Sequence, residues 1–439
     1  MKCFQIHTDK THSMLRQEVF PAEPVPYALQ LEDSPTAHSG FLGFGVAITA
    51  ASCYNLAQMD PAERRALLED VYGKLSFARL TIGSSDYSAE LYSYDDVEGD
   101  VELTHFSIER DRAYVLPMIK EILAVRPDLT LFASPWSPPG WMKTGGLMCG
   151  GYMRSEYVEC YADYILKYLQ AYAAEGIRIS AITPQNEIHT NQRGKMPACV
   201  WHPKDEADFA VALKKKLRKA GMDTQIWICD HSFLYARETL WQLQNYPDLP
   251  AHCDGIAFHY YDGAIENTLP LQQAFPQLPL HFTEAGPRLY DHYADDWCKW
   301  GGMMLKCLTH GYRSFTGWNL MLNEMGGPNI GPFLCGGLIT RHTESGALSY
   351  SGQYVAFSHI APYITPESVI RPLTVTETFG QCYSSYPKEI RLPLGITIDG
   401  KTAVITNPND TKMQLRFPLG GTQWYAELQP ESINTFILR

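Results

Sequence analysis

Eight short β-rich apolar runs, separated mostly by stretches with helical spacing, constrain the fold of this chain more than any other feature. In chain order the runs are FLGFGVAIT, KLSFARLTIG, LTLFASPW, ISAITPQNE, TQIWICDH, GIAFHYY, LPLHFTEA and SFTGWNL. Strands that alternate with helices pair in parallel, and a count of eight indicates closure into a barrel. We therefore expect an α/β fold built on a (β/α)8 TIM barrel, with a doubly wound open sheet as the competing architecture.

The intervening segments carry helix signals. Asp60 is a suitable N-cap, Pro61 occupies the first helical position, Glu63 follows in the first turn and Gly73 ends the segment. A later segment places five apolar or aromatic side chains on one helical face: Tyr161, Ile165, Tyr168, Leu169 and Tyr172. Such a stripe predicts core packing rather than a binding surface.

The pattern changes after about residue 363, where no further helix is predicted. ITIDGKTAVIT consists of two alternating runs around Asp399-Gly400, which predicts a hairpin, and MQLRF and INTFIL continue the alternation. YALQLED near the N-terminus has the same period. We expect a small antiparallel β-sandwich side domain built from both termini, with residues 1–40 and 363–439 flanking a catalytic barrel at 41–362.

Charge and cysteine usage limit the partners and the compartment. The formal net charge of −12 argues against nucleic acid and anionic membranes, which bind basic patches. The 11 cysteines are scattered and odd in number, which favours a reducing compartment. The first residues lack the apolar core of a signal peptide, and no apolar stretch reaches the length of a membrane span. We expect a cytoplasmic protein without an integral membrane segment, and the oligomeric state stays open.

Polar and aromatic residues collect where the predicted strands end. In barrels of this kind, chemistry occurs at the carboxyl ends of the strands. Those ends carry Arg79 and Asp86, Trp136, Asn186-Glu187, Asp230-His231, His259 and Tyr261, Glu284, and Trp318-Asn319. Because Glu187 lies at the end of the fourth run and Glu284 at the end of the seventh, both carboxylates can point into one mouth.

Two carboxylates with different environments are what glycoside hydrolysis requires, one as proton donor and one as a charged group. Trp136, Tyr261 and Trp318 suit the apolar faces of a sugar, and Arg79 and Asn186 can hold one carboxylate charged. Taken singly, each residue has a plainer explanation: a solvated glutamate, a packing tryptophan or histidine, an Arg79–Asp86 ion pair. Their coincidence at the same strand ends favours a pocket.

Signals for other chemistries are weaker. HExxH and CxxC motifs do not occur, GFLGFG has the spacing GxxGxG rather than GxGxxG, and no GxSxG supports a serine nucleophile. We therefore expect neither a metal ion nor a cofactor.

The motifs GFGVAIT, ARLTIGSSDYS, ASPWSPPGWMKT, TPQNE, FHYY, FTEAG and GWNLMLNEMGGPN resemble, in order, those of glycoside hydrolase family 30. This family contains glucosylceramidase-like retaining β-glycosidases of clan A. The resemblance implies that Glu187 is the acid/base and Glu284 the nucleophile. It also implies a set of sugar-binding residues: Arg79, Asp86, Trp136, Asn186, Tyr261 and Trp318. The sequence departs from the family pattern at Val46, Ala50, Ile188 and Pro332.

The function expected from this resemblance is hydrolysis of a β-linked glycoside by double displacement. The long segments TGGLMCGGYM and 191–201 favour exo action on β-glucosides, β-xylosides or related β-glycosides. The alternatives are an endo-acting β-1,6-glucanase or xylanase of the same family, or an inactive carbohydrate-binding relative. For Glu187 to donate a proton near neutral pH, we expect its pKa to be raised. The sugar and the aglycone stay open.

Overall fold

A computed structural model of the protein describes residues 2–20, 28–377 and 391–439. These residues fall into two compact units. The side unit comprises Met1–Gly43, Tyr290–Arg313 and Tyr350–Arg439, and the barrel unit comprises Phe44–Leu289 and Ser314–Ser349. Among the described residues, no helix combines the length and the apolar composition needed to cross a membrane.

Strands and helices are numbered in chain order. The strands are β1 (Cys3–Thr8), β2 (Leu15–Val19), β3 (Leu29–Asp33), β4 (Gly43–Ile48), β5 (Phe77–Ile82), β6 (Thr130–Pro135), β7 (Ala181–Ile182), β8 (Gln225–Ser232), β9 (Gly255–His259), β10 (Leu280–Glu284), β11 (Ser314–Gly317), β12 (Met321–Asn323), β13 (Ile339–Arg341), β14 (Leu348–Tyr350), β15 (Ile370–Glu377), β16 (Leu394–Ile398), β17 (Thr402–Asn407), β18 (Met413–Leu419), β19 (Thr422–Leu428) and β20 (Ser432–Leu438). The helices are α1 (Ala50–Ala57), α2 (Pro61–Tyr72), α3 (Val115–Val125), α4 (Val158–Ala174), α5 (Pro203–Lys219), α6 (Ala236–Asn245), α7 (Leu269–Ala274), α8 (Trp297–Thr309) and α9 (Gly352–Ile360).

The barrel unit confirms the predicted (β/α)8 architecture. Strands β4 to β11 close into a barrel in chain order, and each of the eight apolar runs contains one of them. The fourth strand, β7, is only two residues long. Inside the barrel, the buried rings of Phe77, Phe132 and Trp227 pack together. Large side chains fill the interior, so the barrel is a packed core whose functional end is its mouth.

The helix predictions are confirmed in the barrel unit. Asp60 caps α2 by accepting hydrogen bonds from the backbone N–H groups of Ala62 and Glu63, and Gly73 is the C-cap. The aromatic stripe of the 161–172 segment lies on α4, and all five of its side chains are buried.

The side unit contains the β domain expected from both termini. Its strands form one nine-stranded sheet in the order β19-β18-β3-β15-β16-β17-β20-β1-β2. Asp399 and Gly400, with φ values of 53° and 63°, form the predicted β16–β17 turn. The strand of YALQLED, β3, pairs antiparallel with β15 and parallel with β18, so the sheet is not purely antiparallel. Tyr27 of that motif and Cys382 lie outside the described residues.

The sheet of the side unit folds around one apolar core. Residues from both halves of the sheet, among them Cys3, Leu31, Phe417, Trp424 and Phe436, form a single buried cluster, and β2 and β19 at the two edges touch. Helix α8 groups with this unit and contacts β16 and β20, whereas the sequence pattern assigns its residues to the barrel range. The sequence pattern predicts a helix between two barrel strands. It does not show which elements that helix packs against.

Candidate active site

The two glutamates predicted as a catalytic pair meet at the mouth of the barrel. One carboxylate oxygen of Glu187, one of Glu284 and one ring nitrogen of His259 all lie within 4.8 Å of one another. Glu284 is the last residue of β10, and Glu187 follows β7 in a turn. The prediction that these strand ends converge therefore agrees with the geometry.

Irregular backbone aims the polar side chains inward. The pairing of β8 with β9 shifts register at Asp230, and that of β9 with β10 shifts between Phe282 and Glu284. Asp230 and Glu187 have positive φ angles of 45° and 50°. Bulges and left-handed residues re-aim side chains at the ends of strands, and non-glycine residues hold such angles at a cost in backbone strain.

Arg79, on β5, lies at the bottom of the site and contacts residues at the ends of both β7 and β10. Its side chain is fully buried, and its guanidinium donates to Glu284 Oε2 at 2.5 Å, to Asp230 Oδ2 at 2.7 Å and to Asn186 Oδ1 at 2.9 Å. Arg79 does not pair with Asp86, which was the plainer explanation of its position. Asn186 lines the pocket. Because its amide oxygen already accepts from Arg79, its Nδ2 group is the one available to a ligand.

Asp230 is the most heavily bonded carboxylate of the site, and the sequence assigned it no role. It accepts from Arg79 and from three hydroxyls, Ser134 Oγ at 2.9 Å, Thr183 Oγ1 at 2.6 Å and Thr283 Oγ1 at 2.7 Å. Burial opposes its ionisation, but the charges of Arg79 and His259 lower its pKa well below the usual range. Asp230 thus anchors Arg79 and His259 without facing the pocket.

Glu284 has a donor on each oxygen. The hydroxyl of Tyr261 donates to Oε1 at 2.9 Å, and Arg79 donates to Oε2. Two fixed donors on a carboxylate set its orientation within the mouth. An oxygen held this way is aimed at one point in the pocket.

Glu187 contacts two side chains that the sequence did not assign to the site. Gln192 Nε2 donates to Oε2 at 2.6 Å, and His259 Nδ1 lies 3.4 Å from Oε1. Gln192 belongs to the segment 191–201, and its position at a left-handed turn with φ of 49° is not visible as a site motif. The sequence places His259 and Asp230 at strand ends but does not separate them from packing residues. The distances from His259 to Glu187 and to Asp230 show that both belong to the site.

The expected rise in the pKa of Glu187 is not found. Burial does raise this pKa, but the hydrogen bond from His259 and the nearby imidazoles outweigh burial and lower it. Burial also opposes the charged form of His259, yet the charge of Glu284 and the Asp230 contact at 3.0 Å raise the pKa of this imidazole to about 9. The proton of the pair therefore resides on His259 near neutral pH.

Trp136 and Trp318 form the apolar floor. Their ring centroids lie 5.0 Å apart at an interplanar angle of 19°, and the guanidinium carbon of Arg79 lies 4.7 Å from the Trp136 ring centroid. Each is only 2% exposed, but both line the pocket. The two tryptophans therefore pack in the core and also present apolar surface to a ligand.

Asp86 lines the same pocket from the loop after β5. Its Oδ1 is buried and has no hydrogen-bond partner. Burial and the charges of Glu284 and Glu187 raise its pKa well above the usual range, so the free protein holds this carboxyl uncharged. A buried polar atom without a partner calls for an explanation, and a ligand hydroxyl supplies one.

The departures from the family pattern lie outside the lining of the pocket. Val46 and Ala50 are buried on β4 and at the start of α1, and Ile188 is buried beside Glu187. Pro332 is exposed in the loop before Phe333. None of these side chains lines the pocket.

The pocket has a volume of about 210 Å³. It is lined by Asp86, Trp136, Asn186, Glu187, Gln192, Met196, His231, Ser232, Tyr261, Glu284, Arg288, Trp318, Phe333 and Cys335. Glu187, His259 and Glu284 are spaced closely enough to hold a metal ion. Arg79 already places a buried positive charge on Glu284, however, and Tyr261 takes its other oxygen, so the set fits an organic ligand better than a cation.

Comparison with known proteins identifies the family. The family model described as the glycosyl hydrolase family 30 TIM-barrel domain matches residues 41–354. An endo-1,6-beta-D-glucanase of Neurospora crassa is 28% identical over 82% of this chain and 78% of its own length. A putative glucosylceramidase 3 of Caenorhabditis elegans is 30% identical over 68% of this chain and 61% of its own.

A solved structure extends the similarity to the whole chain. The endo-beta1,6-glucanase BT3312 superposes with a TM-score of 0.82 and 26% identity, covering 99% of each chain. The family model spans nearly all of the barrel range and both glutamates. This chain belongs to glycosyl hydrolase family 30 and is a glycoside hydrolase.

Proposed function

We propose that this protein is a retaining endo-β-1,6-glucanase in which Glu284 is the nucleophile and Glu187 the acid/base. The observation that carries the mechanism is the close approach of the two carboxylates, whose nearest oxygens lie within 4.8 Å. Retaining enzymes hold their carboxyl groups about 5 to 5.5 Å apart, whereas inverting enzymes need about 6.5 to 9.5 Å to admit a water molecule.

In the first step an oxygen of Glu284 attacks the anomeric carbon. A bond forms between this oxygen and the carbon, and the bond from the carbon to the leaving glycosidic oxygen breaks. Arg79 and Tyr261 hold the attacking carboxylate in position through the bonds at 2.5 and 2.9 Å. Glu187 supplies the proton that the leaving oxygen takes up, so the departing group is a neutral alcohol.

His259 holds that proton in the free enzyme. Its Nδ1 lies 3.4 Å from Oε1 of Glu187, and its pKa is raised to about 9. When a glycosidic oxygen reaches Glu187, the proton passes from the imidazolium to the carboxylate and then to the leaving oxygen. Esterification of Glu284 removes one of the charges that raise the pKa of His259.

In the second step Glu187 accepts a proton from water. The water oxygen attacks the anomeric carbon, the bond to Glu284 breaks, and the sugar leaves with its original β configuration. The same two carboxylates thus serve both steps, with Glu284 returning as a carboxylate and the Glu187–His259 pair regaining its proton.

The choice of substrate rests on the relatives. The sequence pattern favours exo action, but the Neurospora protein and the full-length structural match are both endo-β-1,6-glucanases by name. The alternative stated in the sequence analysis is therefore better supported than exo action. Glucosylceramidase-like exo hydrolysis is the second candidate, because the C. elegans relative, a putative glucosylceramidase by name, is 30% identical to this chain.

Product analysis on a linear β-1,6-glucan tests this proposal. We expect a ladder of oligosaccharides early in the reaction and a β-anomeric reducing end by NMR. Release of glucose alone would favour exo action, and cleavage of glucosylceramide without cleavage of the glucan would favour the second candidate. An α-anomeric initial product would contradict the retaining mechanism, with Glu284→Gln as the inactive control.

We also propose that the protein is located in the cytoplasm. The ten described cysteines are all free thiols, six of them at 2% exposure or less. Free thiols of this kind support the reducing, cytoplasmic location expected from the sequence. Fractionation of the producing cells, with detection of the protein in the soluble cytoplasmic fraction, checks this location.

A further inference from the structure

Outside the active site, three potential metal ligands converge in the turn that joins β1 to β2. His7 is on β1, and Asp9 and His12 follow in the turn. Their ligand atoms, one from each residue, lie within 4.8 Å of one another. All three residues belong to the side unit, so this cluster is distinct from the catalytic carboxylates of the barrel unit.

We propose that His7, Asp9 and His12 bind a first-row divalent cation of the Zn²⁺ class. The distances fit such an ion. Asp9 Oδ2 lies 3.5 Å from His7 Nε2 and 3.4 Å from His12 Nδ1. A tetrahedral ion with ligands at about 2.0 to 2.1 Å separates neighbouring ligand atoms by about 3.3 to 3.4 Å. One cation can therefore contact the carboxylate oxygen together with an imidazole at these distances, and the two ring nitrogens lie within 4.8 Å of each other.

Hydrogen bonds within the turn hold the carboxylate of Asp9 in place. Asp9 Oδ1 accepts from the backbone N–H of Thr11 at 2.7 Å, the Thr11 hydroxyl at 2.7 Å and the backbone N–H of His12 at 2.8 Å. These three donors fix the carboxylate, whose Oδ2 approaches His7, while His12 Nδ1 lies 3.3 Å from Oδ1 and 3.4 Å from Oδ2. Outer hydrogen bonds that orient a ligating carboxylate are typical of metal sites.

A hydrogen-bonded turn without a cation is the competing explanation. In that case His12 Nδ1 would bond to the Thr11 hydroxyl, which lies 2.7 Å away. That explanation leaves His7 unaccounted for. His7 is 5% exposed, and among the described residues the polar contact of its Nε2 is the 3.5 Å approach to Asp9. Buried polar side chains are rarely left so poorly bonded.

The ligand types select the class of ion. Two imidazoles and one carboxylate suit zinc and its first-row neighbours, whereas calcium and magnesium prefer oxygen ligands alone. Half of the His12 side chain is exposed, so a solvent molecule can take the fourth position. The bound ion would cross-link the end of β1 to the turn that leads into β2. Strand β2 is an edge strand of the nine-stranded sheet.

Calorimetric titration of the metal-free protein with ZnCl2 tests the site. We expect one equivalent to bind to the wild type, and His12→Ala to weaken that event by on the order of tenfold or more, since even outer ligands contribute 10- to 100-fold. Asp9→Asn should act in the same direction, but His12→Ala is the primary variant because it leaves the turn's backbone donors in place. Co²⁺ substitution gives a second readout, an intense visible absorption typical of tetrahedral sites.

His105→Ala is the matched control. His105 is also an exposed histidine whose Nδ1 contacts an aspartate, Asp100 at 2.9 Å, but no second imidazole joins that pair in the metal-ligand groups of the described residues. This variant should bind Zn²⁺ as the wild type does. Equal binding by the wild type and His12→Ala, or no binding by the wild type at 100-fold excess of Zn²⁺, would overturn the proposal and leave the hydrogen-bonded turn.

Discussion

The imidazole of His259 and the carboxylate of Glu187 are neighbours, with Nδ1 3.4 Å from Oε1. Asp230 holds the opposite nitrogen of the same ring at 3.0 Å. The three groups form a chain in which Asp230 and Glu284 favour a charged imidazole and that imidazole favours a charged Glu187. The acid/base is thus coupled to a histidine on a different strand, and this coupling has a measurable consequence.

We predict that His259→Gln moves the basic limb of the kcat/KM pH profile to lower pH. In the wild type the proton of the pair is lost near the His259 pKa of about 9. Without the imidazole the proton must reside on Glu187, a carboxyl whose ordinary pKa is about 4.3 and is raised by burial. The limb should shift by at least about two pH units. The measurement is kcat/KM against pH with an activated aryl β-glucoside.

His231→Gln is the control for this shift. His231 Nδ1 lies 3.9 Å from the same Glu187 oxygen, but burial lowers the pKa of this imidazole to about 3, so it is neutral over the working range. Its replacement should leave the position of the basic limb unchanged. A limb that stays in place in His259→Gln would show that the catalytic proton is not shared with this histidine.

We predict that azide rescues Glu187→Ala. Loss of a general acid typically lowers the rate by about 10² to 10⁴, and the loss should be smallest with leaving groups that need no proton. Azide can then attack the glycosyl-enzyme without a base, giving a β-glycosyl azide that NMR identifies.

Glu284→Ala separates the two roles in the same assay. With the nucleophile removed, azide can attack only the substrate, from the face that Glu284 occupied, and the product should be the α-glycosyl azide. If both variants gave the same anomer, the assignment of Glu187 and Glu284 to different roles would fail.

Glu284→Gln should abolish turnover while the protein stays folded. The buried guanidinium of Arg79 contacts two carboxylates, Glu284 and Asp230, so removal of one negative charge leaves it paired with the other. We expect a loss of kcat of more than about 10³-fold with a thermal midpoint close to that of the wild type. Asp230→Asn provides the contrast, since it weakens the anchors of both Arg79 and His259 and should lower the midpoint. Residual activity near the wild-type level in Glu284→Gln would exclude it as nucleophile.

The strand positions and the two glutamates could be predicted because they follow from local pattern. The apolar runs predict the positions of β4 to β11. A glutamate at the end of the fourth run and another at the end of the seventh must lie at the mouth once the barrel closes. The hairpin at Asp399 and Gly400 is equally local, because both residues tolerate the left-handed angles that the turn requires.

The remaining site residues depend on distances that no local pattern contains. Asp230 is placed by a bulge in β8, and Gln192 reaches Glu187 from a loop whose backbone has positive φ. The lowered pKa of Glu187 likewise arises from His259, 72 positions away in the chain. The sequence placed Asp230 and His259 at strand ends, but it does not show that Asp230 meets Arg79 of β5 or that His259 meets Glu187 after β7.

Asp86→Asn should make the free protein more stable at neutral pH and a weaker binder of its substrate. Burial and the charges of Glu284 and Glu187 raise the pKa of Asp86, so the folded protein keeps a proton that the unfolded chain releases above its usual pKa. The free energy of unfolding therefore falls as pH rises from the unfolded value toward the folded one, by about 1.4 kcal/mol per pH unit at most. Asparagine removes this penalty, because it is uncharged in both states.

Urea unfolding of wild type and Asp86→Asn at several pH values measures the effect. The two proteins should agree near pH 3, below the unfolded pKa, and the variant should gain relative stability as the pH is raised toward 7. Asp128→Asn, a change at a side chain that is 73% exposed, is the control and should show no such divergence. In kinetics, Asp86→Asn should lower kcat/KM, since the amide has one acceptor oxygen for a ligand hydroxyl where the carboxyl group has two oxygens, including the partnerless Oδ1. Parallel stability curves for wild type and Asp86→Asn would mean that the carboxyl is already charged in the folded protein, and the pocket would then hold one more negative charge than this structure implies.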